Sequence, residues 1–226
     1  MDARILRFLE DCGSAEQIDI GRSDSRVLRF EDVFLKIAPL GKLERAAAMQ
    51  EYFCSLGLSA PLVAFSQDGE RDYMLVKAVP GRSGIEVLDR PEWLAEKLGE
   101  GVRALHGQKM SDCPFEDVNE SALALFARGT GHAFGGDASV LKKDALLHGD
   151  CCLPNVFFSD RGVCGFIDLG EGGLGDRHFD LYWALWSLNY NLKTDRFGER
   201  FLDAYGRDAV DPVRLDCCAR ISRCDE

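Results

Sequence analysis

The spacing of apolar residues changes character along this chain. Residues 1–12 place Ile5, Leu6, Phe8 and Leu9 on one side of a short amphipathic helix. The next stretch, IDIGRSDSRVLRFEDVFLKIAPLG, alternates apolar with polar positions and is rich in β-branched and aromatic residues. That pattern predicts two or three antiparallel strands, with turns near Gly21-Arg22-Ser23-Asp24 and Glu31-Asp32. Helical spacing returns over 42–56, where Leu43, Ala46, Met49, Phe53 and Leu56 face a core. Two further strands, Leu62–Ser66 and Asp72–Val76, are separated by the turn Gln67-Asp68-Gly69-Glu70.

The segment Lys77-Ala78-Val79-Pro80-Gly81-Arg82-Ser83-Gly84 breaks both periodicities. Beyond it the chain is mostly helical. Residues 91–106 open with proline in the first turn and carry Leu94, Leu98, Val102 and Leu105 at helical spacing. A shorter helix is predicted over 118–128, a glycine-rich loop over Gly129–Asp137, and helices over 179–192, 195–205 and 211–220. The whole predicts an α+β fold: an N-terminal lobe over 1–76, a hinge over 77–84 and a C-terminal lobe over 85–226.

Composition narrows the class. The chain has 226 residues, and its Phe 14, Trp 3 and Tyr 5 supply too much apolar area for a disordered polymer. No apolar run reaches the roughly 18 residues that span a bilayer, and the start MDARILRFLEDCG has no signal-like apolar core. A cytoplasmic protein with no membrane partner is expected. With 27 basic against 38 acidic residues the net charge is −11, which argues against a nucleic-acid partner and favours cationic ligands, although solubility alone explains many acidic chains. Nine cysteines with no CxxC and two adjacent pairs, Cys151-Cys152 and Cys217-Cys218, read as reduced, mostly buried thiols.

The chemistry concentrates in LLHGDCCLPNVFFSDRGVCGFIDLG, residues 146–170. Val156-Phe157-Phe158, the turn Ser159-Asp160-Arg161-Gly162 and a second apolar run ending at Ile167 predict a β-hairpin. A hairpin brings its ends together, so Asn155 and Asp168 are expected side by side. An amide oxygen beside a carboxylate suits Mg²⁺, a hard cation that prefers oxygen ligands. Asp150, upstream on the same loop, is placed to act on a substrate hydroxyl as general base. His148 reads as a structural residue that fixes this loop.

The spacing His148-Gly149-Asp150-x4-Asn155 followed by Asp168-Leu169-Gly170 resembles the catalytic loop and metal-binding triplet of protein-kinase-like enzymes. The fuller pattern HGDxxLPN…GFIDLGxGGxGDRxxD resembles aminoglycoside phosphotransferases, the 3′ type in particular. The resemblance implies a two-lobed kinase-like fold, ATP and Mg²⁺ as cofactors, Asp150 as catalytic base, and Asn155 and Asp168 as metal ligands. It also implies that Lys36, within Val33-Phe34-Leu35-Lys36-Ile37, pairs the ATP phosphates, with a solvent-reaching lysine as the bland reading. Gly21–Ser25 then resembles the phosphate-covering loop, with Ser23 as a contact. Backbone groups near Lys77 and Val79 would hold the adenine, unless the segment is a plain linker. Asp180, among apolar neighbours, becomes a brace for the Asp150 loop. Trp183, Trp186 and Tyr190 have core spacing first and pocket-wall spacing second.

The sequence departs from the family in two places, and its ending is mixed. Matching the helix after the lysine strand by its end, Tyr52-Phe53, puts Ala46 where the family carries a glutamate that pairs with the lysine; Glu44, about 200° around the helix, and Glu51, on a later turn, are the other candidates. The segment between Pro114 and His148 is shorter than the helical insertion that walls the family's substrate site. The ending RLDCCARISRCDE keeps an acidic pair, Asp225 and Glu226, which the resemblance makes binders of substrate amines unless they are a frayed acidic terminus, but lacks the family's final phenylalanines. The expectation is therefore a kinase of a small molecule, first a polycationic aminoglycoside. The alternatives are a kinase of another small alcohol or amino-sugar metabolite, and a weakly active nucleotide-binding pseudo-enzyme.

Overall fold

The computed structural model describes residues 1–11, 15–18 and 25–223. Its chain divides into two compact units, Met1–Val79 and Pro80–Glu226.

In the first unit β1 (Glu16–Ile18), β2 (Arg26–Phe30), β3 (Val33–Pro39), β4 (Leu62–Gln67) and β5 (Arg71–Lys77) form an antiparallel sheet in the order β1-β2-β3-β5-β4. Glu31, at φ 51°, turns β2 into β3. Strand alternation divides the sheet's side chains between two faces. Leu28, Val33, Leu35, Ile37, Tyr73 and Leu75 cluster with Ile5, Phe8 and Leu9 of α1 (Ala3–Glu10). Leu6, which the pattern groups with them, is 43% exposed, because it lies about 100° around the helix from Ile5.

On the other face, Phe34, Ala38, Met74 and Val76 meet Leu43, Ala46 and Ala47 at α2 (Glu44–Ser55). Leu43, the residue before α2, has no capping side chain of its own. Buried Asp72 of β5 does that work remotely, accepting from the N–H groups of Gly41 (3.0 Å) and Leu43 (2.7 Å).

The second unit is built on α3 (Pro91–His106), whose Leu94, Leu98, Val102 and Leu105 are all fully buried. Two glycines let other elements approach it closely. A Cβ on Gly99 would lie 2.4 Å from the Phe201 carbonyl of α6 (Gly198–Tyr205), and one on Gly101 would lie 2.3 Å from Val163 of β9 (Gly162–Phe166). The hairpin β8 (Val156–Ser159)–β9 forms as the turn chemistry predicts, with β6 (Arg82–Ser83) at its edge. A second small pairing joins β7 (Ala145–Leu147) to β10 (Gly173–Gly175). The helix α4 (Val118–Thr130) runs past Gly129 and stops at Gly131, whose φ of 77° supplies the left-handed cap. The unit is completed by α5 (His178–Leu192) and α7 (Pro212–Ser222).

Buried ionic groups tie α7 to the rest of this unit. Arg214 of α7 donates to Asp176 (2.8 Å) and Asp144 (2.7 Å). His178 donates from Nδ1 to Asp176 (2.7 Å), because its Nε2 is the acceptor for the Asp211 N–H (2.9 Å). Burial alone would raise the Asp176 pKa, but hydrogen bonds from His178, Arg214 and the Lys142 N–H outweigh it and hold the carboxyl at about 2. A carboxyl depressed in the folded state stabilises fully above the unfolded value and stops doing so as pH falls through the folded one. Wild-type Tm should therefore exceed that of Asp176→Asn above pH 5, by a margin on the order of 2 kcal/mol in stability that shrinks between about pH 4 and pH 2. A margin that stays constant down to pH 2 would contradict this account.

The described cysteines 54, 113, 151, 152, 164, 217 and 218 are free thiols, and Cys151, Cys217 and Cys218 are buried. Among the described residues no helix is long and apolar enough to cross a membrane.

Candidate active site

The loop after β7 is held by a buried carboxylate on α5. Asp180 is fully buried and accepts from the N–H groups of His148 (2.8 Å) and Gly149 (2.9 Å). The third donor to Asp180 is Nε2 of His106, at 3.2 Å. Nδ1 of His106 in turn meets the Tyr205 hydroxyl at 2.9 Å, which fixes the orientation of the ring. Burial opposes ionisation of Asp180, yet the His106 hydrogen bond and the loop N–H groups keep its pKa below the ordinary aspartate value. The expected brace is present, and it includes two residues, His106 and Tyr205, that sequence reasoning did not single out.

His148 performs the structural role expected of it. Its Nδ1 accepts from the Asp150 N–H (3.2 Å), so Nε2–H donates to the Ile167 carbonyl (2.9 Å). One buried ring thus spans the loop carrying Asp150 and the residue before Asp168.

Asp150 and Asn155 are in direct contact. The Asn155 amide donates from Nδ2 to the Asp150 carboxylate (2.9 Å) and to the Asp150 carbonyl (3.0 Å). That orientation turns the amide oxygen Oδ1 away from Asp150. The Ile167 N–H donates to the Asn155 carbonyl (3.0 Å), which closes the hairpin so that Asn155 is beside the start of the Asp168 turn. Asp168 is exposed and left-handed, at φ 61° and ψ 57°, a backbone state that is uncommon outside glycine. Beside them, Ser83 donates to the Pro154 carbonyl (3.1 Å), and the Leu153 N–H donates to Ser187 of α5 (2.9 Å). Cys152 lies against the Asp150 carboxylate; burial and that charge push its thiol well up, so it is a neutral neighbour and not a nucleophile.

Gly149, at φ 87°, is where the loop meets the turn after Asp168. A Cβ there would fall 2.1 Å from the Glu171 carbonyl oxygen. Gly149→Ala is expected to lower Tm by several degrees and to cut turnover at least tenfold, since backbone must move on both sides. Thermal unfolding and initial rates check this. The same contact places the exposed Glu171 beside the Asp150 loop, a second acid that the sequence reading passed over. Its only signal was position, three residues after Asp168.

In the first unit Lys36 sits mid-strand in β3, paired with Val27 and Met74. By alternation it shares the face of Phe34 and Ala38, the face that α2 covers with Ala46. Ala46 is buried there, while Glu44 is exposed and accepts from the Gln67 amide at 2.8 Å. Glu51 is exposed as well. Lys77 ends β5 with its N–H committed to the Pro61 carbonyl (3.0 Å), which removes that group as an adenine donor; Val79 is buried. Ser23, Asp225 and Glu226 lie outside the described residues.

A strand-rich unit followed by a helical one, with an Asp-Asn loop running into a hairpin and a left-handed aspartate, defines a protein-kinase-like phosphotransfer fold. A family model described as the phosphotransferase enzyme family matches residues 14–131 and 137–216, and this chain belongs to that family. A probable aminoglycoside 3′-phosphotransferase from Lactococcus lactis subsp. lactis is 36% identical over 211 residues, covering 82% of this chain and 80% of that one. A crystal structure of an aminoglycoside 3′-phosphotransferase of type VIII superposes with a TM-score of 0.74 at 24% identity, covering 97% of both chains. An aminoglycoside phosphotransferase from Streptomyces rimosus, solved with ADP and streptomycin, gives a TM-score of 0.73 at 18% identity, covering 98% of this chain and 96% of that one.

Proposed function

We propose that the chain is an ATP- and Mg²⁺-dependent kinase that phosphorylates a hydroxyl of a small molecule, an aminoglycoside of the 3′ type in first place. The observation that carries the reading is the Asp150 carboxylate, clamped by the Asn155 amide at the open end of the hairpin. The named relative supplies the substrate class. The exposed acid Glu171 beside the loop suits a polycationic acceptor.

Asp150 aligns the acceptor hydroxyl and takes its proton as the oxygen bonds to the γ-phosphorus and the bridging oxygen of ADP departs. His148 and Asp180 keep the loop rigid, so the base is positioned before substrate arrives. Lys36 and Ser23 contact phosphates, the Lys77 carbonyl and Val79 backbone hold the adenine, and Asp225 and Glu226 take substrate ammonium groups. Asn155 Oδ1 and the Asp168 carboxylate would hold Mg²⁺. The donor set fits: it is oxygen only, one neutral and one anionic, for a cation that completes its shell with phosphates and water. Among the described residues no group of three or more His, Cys, Asp or Glu is gathered to hold a metal unaided. When bound, the ion neutralises phosphate charge.

The test is ADP release from ATP and Mg²⁺ with a panel of aminoglycosides. Phosphorylation of compounds that carry a 3′-hydroxyl, and not of their 3′-deoxy analogues, is the expected result. If no aminoglycoside is phosphorylated, the substrate claim fails, and a screen of amino sugars and small alcohols becomes the next step. Buried Ala46 favours a second reading, a nucleotide binder with little turnover, which requires ADP formation to be the same in Asp150→Asn as in wild type.

A further inference from the structure

Asp180 holds only the upstream half of the catalytic loop, at His148 and Gly149. The downstream half is a single 3-10 turn, Leu153–Asn155, with donors of its own to satisfy. The first N–H groups of any helical turn have no partner within it. Pro154 has no N–H, and the Asn155 N–H goes to the Cys152 carbonyl (2.9 Å). Cys152, the residue before the turn, makes no capping bond. That leaves the Leu153 N–H, on a residue that is fully buried. Ser187 of α5 accepts it at 2.9 Å.

Ser187 is itself held for that bond. It lies on the same face of α5 as Asp180, two turns and about 10 Å further along the axis. It is buried, and Asn191 Nδ2 donates both to its hydroxyl (3.2 Å) and to its carbonyl (2.7 Å). The carbonyl groups of the turn meet a second buried serine, Ser83 of β6, at 3.1 Å for Pro154 and 3.4 Å for Leu153. The Ser83 N–H donates to the Glu86 carboxylate (2.8 Å), and a Cβ on Gly84 would fall 2.8 Å from the Leu153 carbonyl oxygen, so β6 is pressed onto the turn. Between the anchors at Gly149 and Leu153 the loop is closed by its own bonds. The Cys152 N–H donates to the Asp150 carbonyl (2.8 Å), and the Asn155 amide donates to the same carbonyl and to the Asp150 carboxylate. Any slip of the turn therefore moves the Asn155 amide relative to Asp150.

We propose that Ser187 and Ser83 are positioning residues of the phosphotransfer site, gripping the turn by its N–H and its carbonyls and so fixing the Asn155 amide against Asp150. The kinetic consequence rests on the kinase reading above; the structural one does not. In ligand-free Ser187→Ala, the Leu153 and Asn155 amides should exchange with deuterium about ten- to a hundredfold faster than in wild type, while the His148 and Gly149 amides keep their rates. With ATP, Mg²⁺ and kanamycin, the same variant should lose about ten- to a hundredfold in kcat and keep both KM values within about threefold, because a misplaced group slows the chemistry more than it weakens binding. Ser83→Ala should act in the same direction by a smaller factor, since its bonds are longer. Ser187→Thr keeps the hydroxyl and should recover most of kcat.

Faster exchange at all of these amides, or at none, would overturn the grip. An unchanged kcat in Ser187→Ala would do the same, as would a folded Ser187→Thr no faster than the alanine variant. If wild type phosphorylates no aminoglycoside, the substrate reading fails and deuterium exchange alone decides: selective opening at Leu153 and Asn155 supports the grip, and any other pattern rejects it.

Discussion

Asp150→Asn is expected to lose about 10²–10⁴-fold in kcat with little change in Tm or in the KM for ATP. The substitution is nearly isosteric. An asparagine turned so that its carbonyl oxygen faces Asn155 keeps the 2.9 Å hydrogen bond now made to the carboxylate. The backbone bonds that shape the loop, from the His148 and Gly149 N–H groups to Asp180 and from the Asp150 N–H to His148, are untouched. What disappears is the negative charge, and with it the oxygen that the proposed mechanism sets against the acceptor hydroxyl. Stopped or coupled assays of ADP release, run beside thermal unfolding, separate the two effects. A variant that turns over at the wild-type rate would remove Asp150 from the mechanism; one that unfolds would show the residue to be structural.

Asp180→Ala is expected to have the largest effect on stability. It leaves the buried His148 N–H, the half-buried Gly149 N–H and His106 Nε2–H with no acceptor, on a segment where water cannot readily replace the carboxylate. Removing one side of such a buried charged network costs about 3–5 kcal/mol, a fall in Tm of about 6–20 °C for a chain of this size. Activity should fall even at temperatures where the variant is folded, because the loop loses its anchor. Asp180→Asn keeps one acceptor oxygen and should fall between the two, at about 1–3 kcal/mol. Denaturant unfolding of both variants checks the order. An Asp180→Ala protein as stable as wild type would mean that the loop is held by its other contacts.

Much of this arrangement was legible in the chain because local rules wrote it. The α3 core stripe repeats at helical spacing, and all four of its leucine and valine positions are buried. The β8–β9 hairpin follows from Ser159-Asp160-Arg161-Gly162 between two apolar runs, and its closure places Asn155 beside Asp168. What stayed hidden depends on partners distant in sequence. The β7–β10 pairing joins Leu147 to Gly173, and each strand is three residues long, too short to show a period. His106 and Tyr205 read as the ends of two helices; only the fold brings them together, 99 residues apart, to orient the ring that supports Asp180. Glu171 was overlooked because the close approach at Gly149 that places it is a tertiary contact. Leu6 shows the opposite failure, a hydrophobic residue counted into a stripe that geometry excludes.

The Gly149 contact also bears on how the enzyme can diversify. With a backbone carbonyl where any side chain would begin, position 149 is closed to every other residue, and the main chain of the loop and the turn is fixed as one piece. Drift toward new acceptors is thereby channelled away from the reacting groups and onto side chains that leave this frame intact. The exposed position 171 is the open address beside this frame, so natural variants with altered acceptor range should differ there first.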